Sequence, residues 1–199
     1  MSFSFLGVRF YISVPFTVML AALLFMDKSG LMSVSLAAVV IHEAGHILVM
    51  KLLKCAPSLI SFNFQGMLIS GVKFCSAKEN ILIALSGPIA NILFSLVFYC
   101  LYLLSSLYSF AVFAAVSFLV GLLNILPIKG LDGGTVLREL CSLLFSKNGG
   151  IIFSLISVFS AVAVLLLGII GLIKNKDNPS LLLLGIYLLI LNLLKIDRM

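Results

Sequence analysis

Long apolar runs separated by short polar stretches make up most of this chain. Six of them approach or exceed the roughly 20 residues that a transmembrane helix needs, and they cover approximately residues 8–26, 31–53, 80–104, 107–126, 150–173 and 179–196. No small-residue cleavage site follows the first run, so it is predicted to remain as an uncleaved span and not to act as a signal peptide.

Two segments between these runs have a different pattern. Residues 59–74 alternate apolar and polar positions and contain Gly66 and Gly71, which favours a β-hairpin over the alternative of an ordinary loop. Residues 124–135 carry Pro127 and three glycines and therefore end the fourth span. Residues 136–145 are predicted to form a short amphipathic helix at the membrane surface. The predicted fold is an all-α polytopic membrane protein, with six transmembrane helices and a small membrane-associated β-hairpin between the second and third.

The composition supports this interpretation. Hydrophobic residues make up 62% of the 199 residues and charged residues only 10%, whereas a soluble globular chain carries roughly 25% charged residues. The formal charge is +6, but the basic residues are scattered singly, so nucleic-acid binding is not expected. The whole chain, 1–199, is predicted to be one domain without a PDZ or CBS domain. The four cysteines form no CxxC pair, and free thiols are expected, although Cys55 and Cys75 flank one short segment.

The positions of the basic residues predict the orientation in the bilayer, because cytosolic loops are enriched in Lys and Arg. With a cytosolic N-terminus, only three basic residues fall outside, namely Lys28, Lys174 and Lys176. The others fall inside, namely Arg9, Lys51, Lys54, Lys73, Lys78, Lys129, Arg138, Lys147, Lys195 and Arg198. Both termini are therefore predicted to be cytosolic.

The second span contains the sequence His-Glu-Ala-Gly-His at residues 42–46. Histidines four residues apart lie on one face of a helix and can bind the same zinc ion. Glu43 is placed to take a proton from a water molecule that the metal activates. A charged side chain near the centre of a membrane-spanning helix costs about 2.5–3.5 kcal/mol on insertion scales. The cluster therefore indicates a functional site and disfavours the alternative of two packed core histidines.

A third ligand is needed, because a catalytic zinc site commonly has three protein ligands and one open position. His42 and His46 are the only histidines of the chain, so the remaining ligand is an acid or a cysteine. Asp132 is favoured because it lies in the segment 124–135, where broken backbone is tolerated within a membrane if it lines a cavity. Glu139, on the short amphipathic helix, is the alternative.

Three motifs occur in order along the chain: HExxH at residues 42–46, SGPxxN at 86–91, and NxxPxxxLDG at 124–133. In these motifs the chain resembles the site-2 protease family of intramembrane zinc metalloproteases. Its compact layout looks most like the branch that includes the bacterial sporulation-factor-processing protease. Two departures are Lys129-Gly130, where many members carry a second proline, and the missing CBS domain, which leaves the regulation open.

The resemblance implies that His42, His46 and Asp132 bind zinc, that Glu43 is the general base, and that Asn91 and Asn124 line the active-site cleft. From the residues alone, other roles stay open. Asn91 either bonds backbone carbonyls freed by Pro88 or binds the substrate or its oxyanion. Asn124 either caps the broken helix end or lines the cleft.

The predicted function is hydrolysis of peptide bonds in membrane-embedded or membrane-associated substrates, with Zn²⁺ as cofactor. The expected partners are a membrane protein substrate, the lipid bilayer and regulatory membrane proteins. The expected location is a bacterial cell membrane, with the active site opening to the cytosolic side. An edge of the predicted hairpin could pair with an unwound substrate as an added strand.

Three alternatives remain. A catalytically silent membrane scaffold would not need Glu43, and a metal-binding transporter would carry polar residues on both sides of the membrane midplane. A protease of the prenyl-protein-processing type would use a downstream glutamate as its third ligand, and Glu139 is the candidate for that role.

Overall fold

The computed structural model describes residues 2–5, 8–55, 59–63, 66–70, 75–145, 147–174 and 179–193. The described chain is mostly helical. Its strands are β1 (Ser2–Phe5), β2 (Val8–Ile12), β3 (Leu59–Asn63) and β4 (Gly66–Ser70). Its helices are α1 (Val14–Met26), α2 (Leu31–Leu52), α3 (Ala77–Ser105), α4 (Tyr108–Ile125), α5 (Asp132–Leu144), α6 (Gly149–Lys174) and α7 (Ser180–Leu193).

Four of the described helices, α2, α3, α4 and α6, are long and apolar enough to cross a membrane. The other two apolar helices are shorter, with 13 residues in α1 and 14 in α7. At 1.5 Å per residue each of these two is about 20 Å long, less than the roughly 30 Å hydrocarbon core. The count of six spans therefore stays a prediction. Residues 194–196 of the sixth predicted span, together with Lys176, Lys195 and Arg198, lie outside the described residues.

The predicted first span, 8–26, needs a correction. Residues Val8–Ile12 form strand β2, and the helix begins only at Val14. The reason is local: the run VRFYI is rich in aromatic and β-branched residues. Ser13 then caps the helix by accepting a hydrogen bond from the Phe16 amide, and Pro15 occupies the first helical turn, where proline is favoured.

The strands form one sheet in the order β1-β2-β3-β4. β1 and β2 pair antiparallel, β2 and β3 pair parallel, and β3 and β4 pair antiparallel from Leu59↔Ser70 to Asn63↔Gly66. The sequence predicts only the 59–74 part of this sheet. Because residues 64–65 and 71–74, including Gly71 and Lys73, lie outside the described residues, the complete hairpin stays a prediction.

Contacts between Cα atoms divide the chain into two compact units, Met1–Gly121 and Leu122–Met199. In the first unit, α2 packs against α3 at very short range. A Cβ atom added to Gly45 would lie 2.7 Å from the Ser86 carbonyl oxygen, so only glycine permits this approach. In the second unit, α6 packs against α7, where a Cβ atom on Gly168 would lie 2.6 Å from the Cα atom of Leu182.

A disulfide joins Cys55, after the end of α2, to Cys75, just before α3. This corrects the expectation of free thiols at these two positions. The physical reason is that α2 and α3 pack side by side and bring their connected ends together. The two Cα atoms are 6.3 Å apart, within the ordinary range for a disulfide. Cys100 and Cys141 are free, as predicted.

The start of α2 is held by Asp27 in the preceding turn. Its carboxylate accepts hydrogen bonds from the hydroxyl and amide groups of Ser29 and from the amide of Met32. These bonds, first of all the one from the Ser29 hydroxyl, hold the pKa of the Asp27 carboxyl below its ordinary value. These bonds therefore hold the first turn of α2, the helix that carries the two histidines, against the preceding turn.

Candidate metal centre

Helix α2 presents His42 and His46 on one face, and both side chains are buried. Their Nε2 atoms lie 3.1 Å apart, and the rings meet edge to face with centroids 4.8 Å apart. Four residues make slightly more than one helical turn, so this approach follows directly from the HExxH spacing. Two buried imidazole nitrogens that converge in this way can share one cation.

The other ring nitrogen of His46 is bonded to helix α3. Nδ1 lies 2.8 Å from the carbonyl oxygen of Ile83, and the Ser86 hydroxyl donates to the same carbonyl at 2.6 Å. A carbonyl oxygen can only accept, so Nδ1 of His46 carries the proton. In the neutral ring, Nε2 then carries the lone pair, which is the form that binds a metal.

The other ring nitrogen of His42 is bonded to Asn91 of α3. The Asn91 side chain is fully buried, and its amide nitrogen lies 3.2 Å from Nδ1 of His42. On its far side, the Ser117 hydroxyl of α4 donates to the Asn91 backbone oxygen at 3.0 Å and lies 3.5 Å from its side-chain oxygen. Each histidine is therefore oriented through its Nδ1 atom by α3.

The side-chain amide of Asn91 can form a hydrogen bond with either neutral tautomer of His42, with the ring proton on Nε2 or on Nδ1. With the amide as it stands, its nitrogen donates to Nδ1, and His42 carries its proton on Nε2. With the amide turned by 180°, its oxygen accepts a proton from Nδ1 and its nitrogen can donate to Ser117, which frees Nε2 of His42 for a metal. The two orientations have the same shape and differ only in the exchange of O and N.

Asp132 is the first residue of α5 in the second unit, and its Oδ2 atom is buried. One ligand atom from each of His42, His46 and Asp132 lies within 4.8 Å of the others, close enough for all three to hold one metal ion. Among the residues that the structure describes, they are the one such group of His, Cys, Asp or Glu side chains. Two imidazoles and a carboxylate are donors that zinc accepts, so these residues fit the expected metal.

The other predicted site residues lie as follows. Glu43 is half-buried on α2 beside His42, and its Oε2 atom is buried. Glu139, the alternative third ligand, is not in the group; its carboxylate lies 3.6 Å from Arg138. Asn124 is half-buried near the end of α4. The roles of Glu43 as base and of Asn91 and Asn124 in a cleft stay predictions.

Three further residues belong to this site and were not assigned to it from the sequence. Gly87 packs against the rings so closely that a Cβ atom there would lie 2.4 Å from Nε2 of His46. Ser86 and Ser117 complete the bonds around the histidines. Ser86 and Gly87 lie within SGPxxN, whereas Ser117 had no signal beyond being a small polar residue in an apolar helix.

Comparison with known proteins shows a similarity to one sequence family and to solved structures. Peptidase family M50 matches residues 104–168, a segment that contains Asn124 and Asp132. The fold is similar to that of the Site-2 Protease from Methanocaldococcus jannaschii, with a TM-score of 0.64 and 21% sequence identity, over 96% of this chain and 94% of that chain. At this identity the match establishes a shared fold. No curated protein sequence matches significantly.

Proposed function

We propose that this chain is an intramembrane zinc metalloprotease. The observation that carries the proposal is the convergence of the His42 and His46 Nε2 atoms, 3.1 Å apart and grouped with an oxygen of Asp132, in a chain of apolar helices. The match to peptidase family M50 and the fold shared with a site-2 protease support it. Ionisable groups within apolar helices are costly and need a function to be retained.

In the proposed mechanism, His42, His46 and Asp132 would hold the metal, each histidine through a neutral ring nitrogen and Asp132 through its carboxylate. A bound zinc ion supplies a Lewis acid that polarises a peptide carbonyl and acidifies water. Glu43 takes a proton from the attacking water and passes it to the leaving amine nitrogen. Ile83 and Asn91 keep the imidazole rings in place while this occurs.

The proposed substrate is a membrane protein whose helix unwinds near the site. A helix hides its carbonyls in its own hydrogen bonds, so the cleaved segment has to become extended. Strand β4 lies at one end of the described sheet and has β3 as its partner there. We propose that its other edge pairs with the extended substrate as an added strand.

Proline substitutions test this docking site, because proline removes a ladder donor. We expect one or more of Met67→Pro, Leu68→Pro, Ile69→Pro and Ser70→Pro to slow cleavage strongly. Phe3→Pro and Phe5→Pro, in the opposite edge strand β1, are the matched controls and should be milder. Unchanged cleavage in all four β4 variants would refute strand pairing.

We propose a bacterial cell membrane as the location, with both termini and the site facing the cytosol, and with regulatory membrane proteins as further partners. A peptide tag fused to either terminus should stay protected from protease added to intact cells and become accessible once the cells are opened. Cleavage of the tag in intact cells would reverse the orientation.

The function itself is tested by cleavage of a model membrane substrate in proteoliposomes. We expect cleavage that a zinc chelator stops and that added Zn²⁺ restores, with no movement of zinc across the bilayer. Metal flux without cleavage would favour a transporter. Stable substrate binding without cleavage would favour a silent scaffold.

A further inference from the structure

The segment between α4 and α5 leads directly into Asp132, the first residue of α5, and packs tightly against the start of that helix. Inside it, the amide of Ile128 donates to the Leu126 carbonyl at 2.7 Å, and the amide of Leu131 donates to the Ile128 carbonyl at 3.0 Å. A Cβ atom on Gly134 would lie 2.1 Å from the Ile128 carbonyl oxygen. With no room between them, a displacement of this segment also displaces Asp132.

A chain of three hydrogen bonds anchors the segment to α6 and α7. The backbone amide of Lys129 donates to the Ser157 hydroxyl at 2.7 Å. That hydroxyl donates to Oδ1 of Asn192, and the amide nitrogen of Asn192 donates to the Leu188 carbonyl at 3.0 Å. All of these residues belong to the second unit. The direction of each bond follows from its two ends, because the Lys129 amide can only donate and the Leu188 carbonyl can only accept, which turns the Asn192 side-chain oxygen towards Ser157.

Helix geometry alone does not explain the partner of the Ser157 hydroxyl. A serine in an apolar helix satisfies its hydroxyl most simply by bonding the carbonyl four residues earlier. Ser160, one turn away on α6, does so by donating to the Ile156 carbonyl at 2.9 Å. Ser157 is fully buried and reaches across to another helix. Both polar groups are costly in an apolar bundle, and the bond from the Ser157 hydroxyl to Oδ1 of Asn192 joins them across the two helices.

We propose that Ser157 and Asn192 are positioning residues of the metal site: by holding the Lys129 backbone they fix the segment that carries the Asp132 ligand. This inference rests on the proposed function. It also assigns a role to α6 and α7, because their packing keeps Ser157 and Asn192 together. Ile128, Ala161, Val164 and Leu188 form the buried cluster beside this chain of bonds.

Two measurements on the purified full chain test the inference. The first is the zinc dissociation constant, from competition with a chromogenic chelator, for wild type, Ser157→Ala, Asn192→Leu and the double variant. The second is hydrogen–deuterium exchange of the peptide that contains the Lys129 amide. Ser160→Ala is the matched control, because it removes a hydroxyl from the same helix without touching this segment.

We expect each single variant to weaken zinc binding roughly tenfold, as outer partners of metal ligands commonly do. The double variant should be no weaker than the single ones, since both substitutions break one chain of bonds. Exchange at Lys129 should accelerate, while exchange in α2 and α3 stays slow and verifies the fold. Ser160→Ala should match wild type in both measurements.

The possible failures are distinguishable. If wild type binds zinc and the variants bind it equally tightly, the positioning role is wrong and the proposed function stands. If exchange at Lys129 is unchanged in Ser157→Ala, the anchor does not exist in solution, which also overturns the inference. If wild type binds no zinc, the proposed function itself fails, and the positioning role fails with it.

Discussion

The amide of Asn91 in α3 lies 3.2 Å from Nδ1 of His42 in α2. Asn91 is fully buried and is held from its other side by Ser117. A metal ligand that is oriented by a buried hydrogen-bond partner loses less freedom when it binds the metal. The SGPxxN motif therefore contributes to the site through its asparagine as well as through the close packing of its glycine.

This contact predicts the effect of changing Asn91. We expect Asn91→Leu to weaken zinc binding by about 10–100-fold, the usual range for an outer partner. Asn91→Asp should lose less, because a carboxylate oxygen still accepts the proton of His42 Nδ1. Chelator competition measures both. The control is Ser95→Ala, which removes a buried hydroxyl of the same helix that bonds the Ala114 carbonyl. Equal zinc affinity in Asn91→Leu and wild type would contradict this role.

Gly87 should tolerate no side chain. A Cβ atom there would lie 2.4 Å from Nε2 of His46 and 2.8 Å from Cε1 of His42, so Gly87→Ala has to displace the rings. We expect this variant to purify with much less zinc than wild type, measured by atomic emission. Gly150→Ala is the control, because nothing lies within 4 Å of the added atom. A full zinc complement in Gly87→Ala would contradict the prediction that the metal needs both rings in the positions that the structure gives them.

The two candidate third ligands can be separated directly. We expect Asp132→Ala to lose most of its zinc, since it removes one of three grouped ligands. Glu139→Ala should keep its zinc, because the Glu139 carboxylate lies 3.6 Å from Arg138 and outside the ligand group. Metal analysis of both variants after equal dialysis decides the assignment. Zinc retained without Asp132 and lost without Glu139 would reverse it.

The disulfide between Cys55 and Cys75 should stabilise the purified protein. It closes a loop with a sequence separation of 20, for which chain-entropy estimates give about 3 kcal/mol. We expect the double variant Cys55→Ala/Cys75→Ala to have a lower unfolding temperature in detergent than wild type. Reductant should lower the unfolding temperature of wild type and leave that of the double variant unchanged. The exposed Cys100→Ala is the control. An unfolding temperature that does not respond to reductant would contradict this stabilisation.

The sequence predicted the long apolar helices and the grouping of three residues that could hold a metal ion, because both depend largely on local spacing. His42 and His46 share a face at a spacing of four residues, and Asp132 follows a proline that ends a helix. The arrangement around them depends on contacts between distant segments. Asn91 meets His42 across 49 positions and Ser157 meets Lys129 across 28, and no local pattern encodes either contact.

The N-terminal sheet illustrates the same limit. Residues 8–12 were predicted to begin the first span, but they form a strand, and residues 9–12 pair in parallel with Leu59–Phe62. Such pairing is decided by a partner about 50 residues away in the chain. The disulfide was missed for the same reason, because the approach of Cys55 and Cys75 follows from the packing of α2 on α3.

The central claim, that this site uses zinc and Glu43 to cleave peptide bonds, is tested most directly by one paired measurement. It compares zinc content and cleavage of a model membrane substrate for purified wild type and Glu43→Gln. The amide keeps the size of the side chain and removes the base. We predict about one zinc per chain in both proteins, with cleavage only in wild type. Full cleavage by Glu43→Gln, or no zinc in either protein, would contradict the claim.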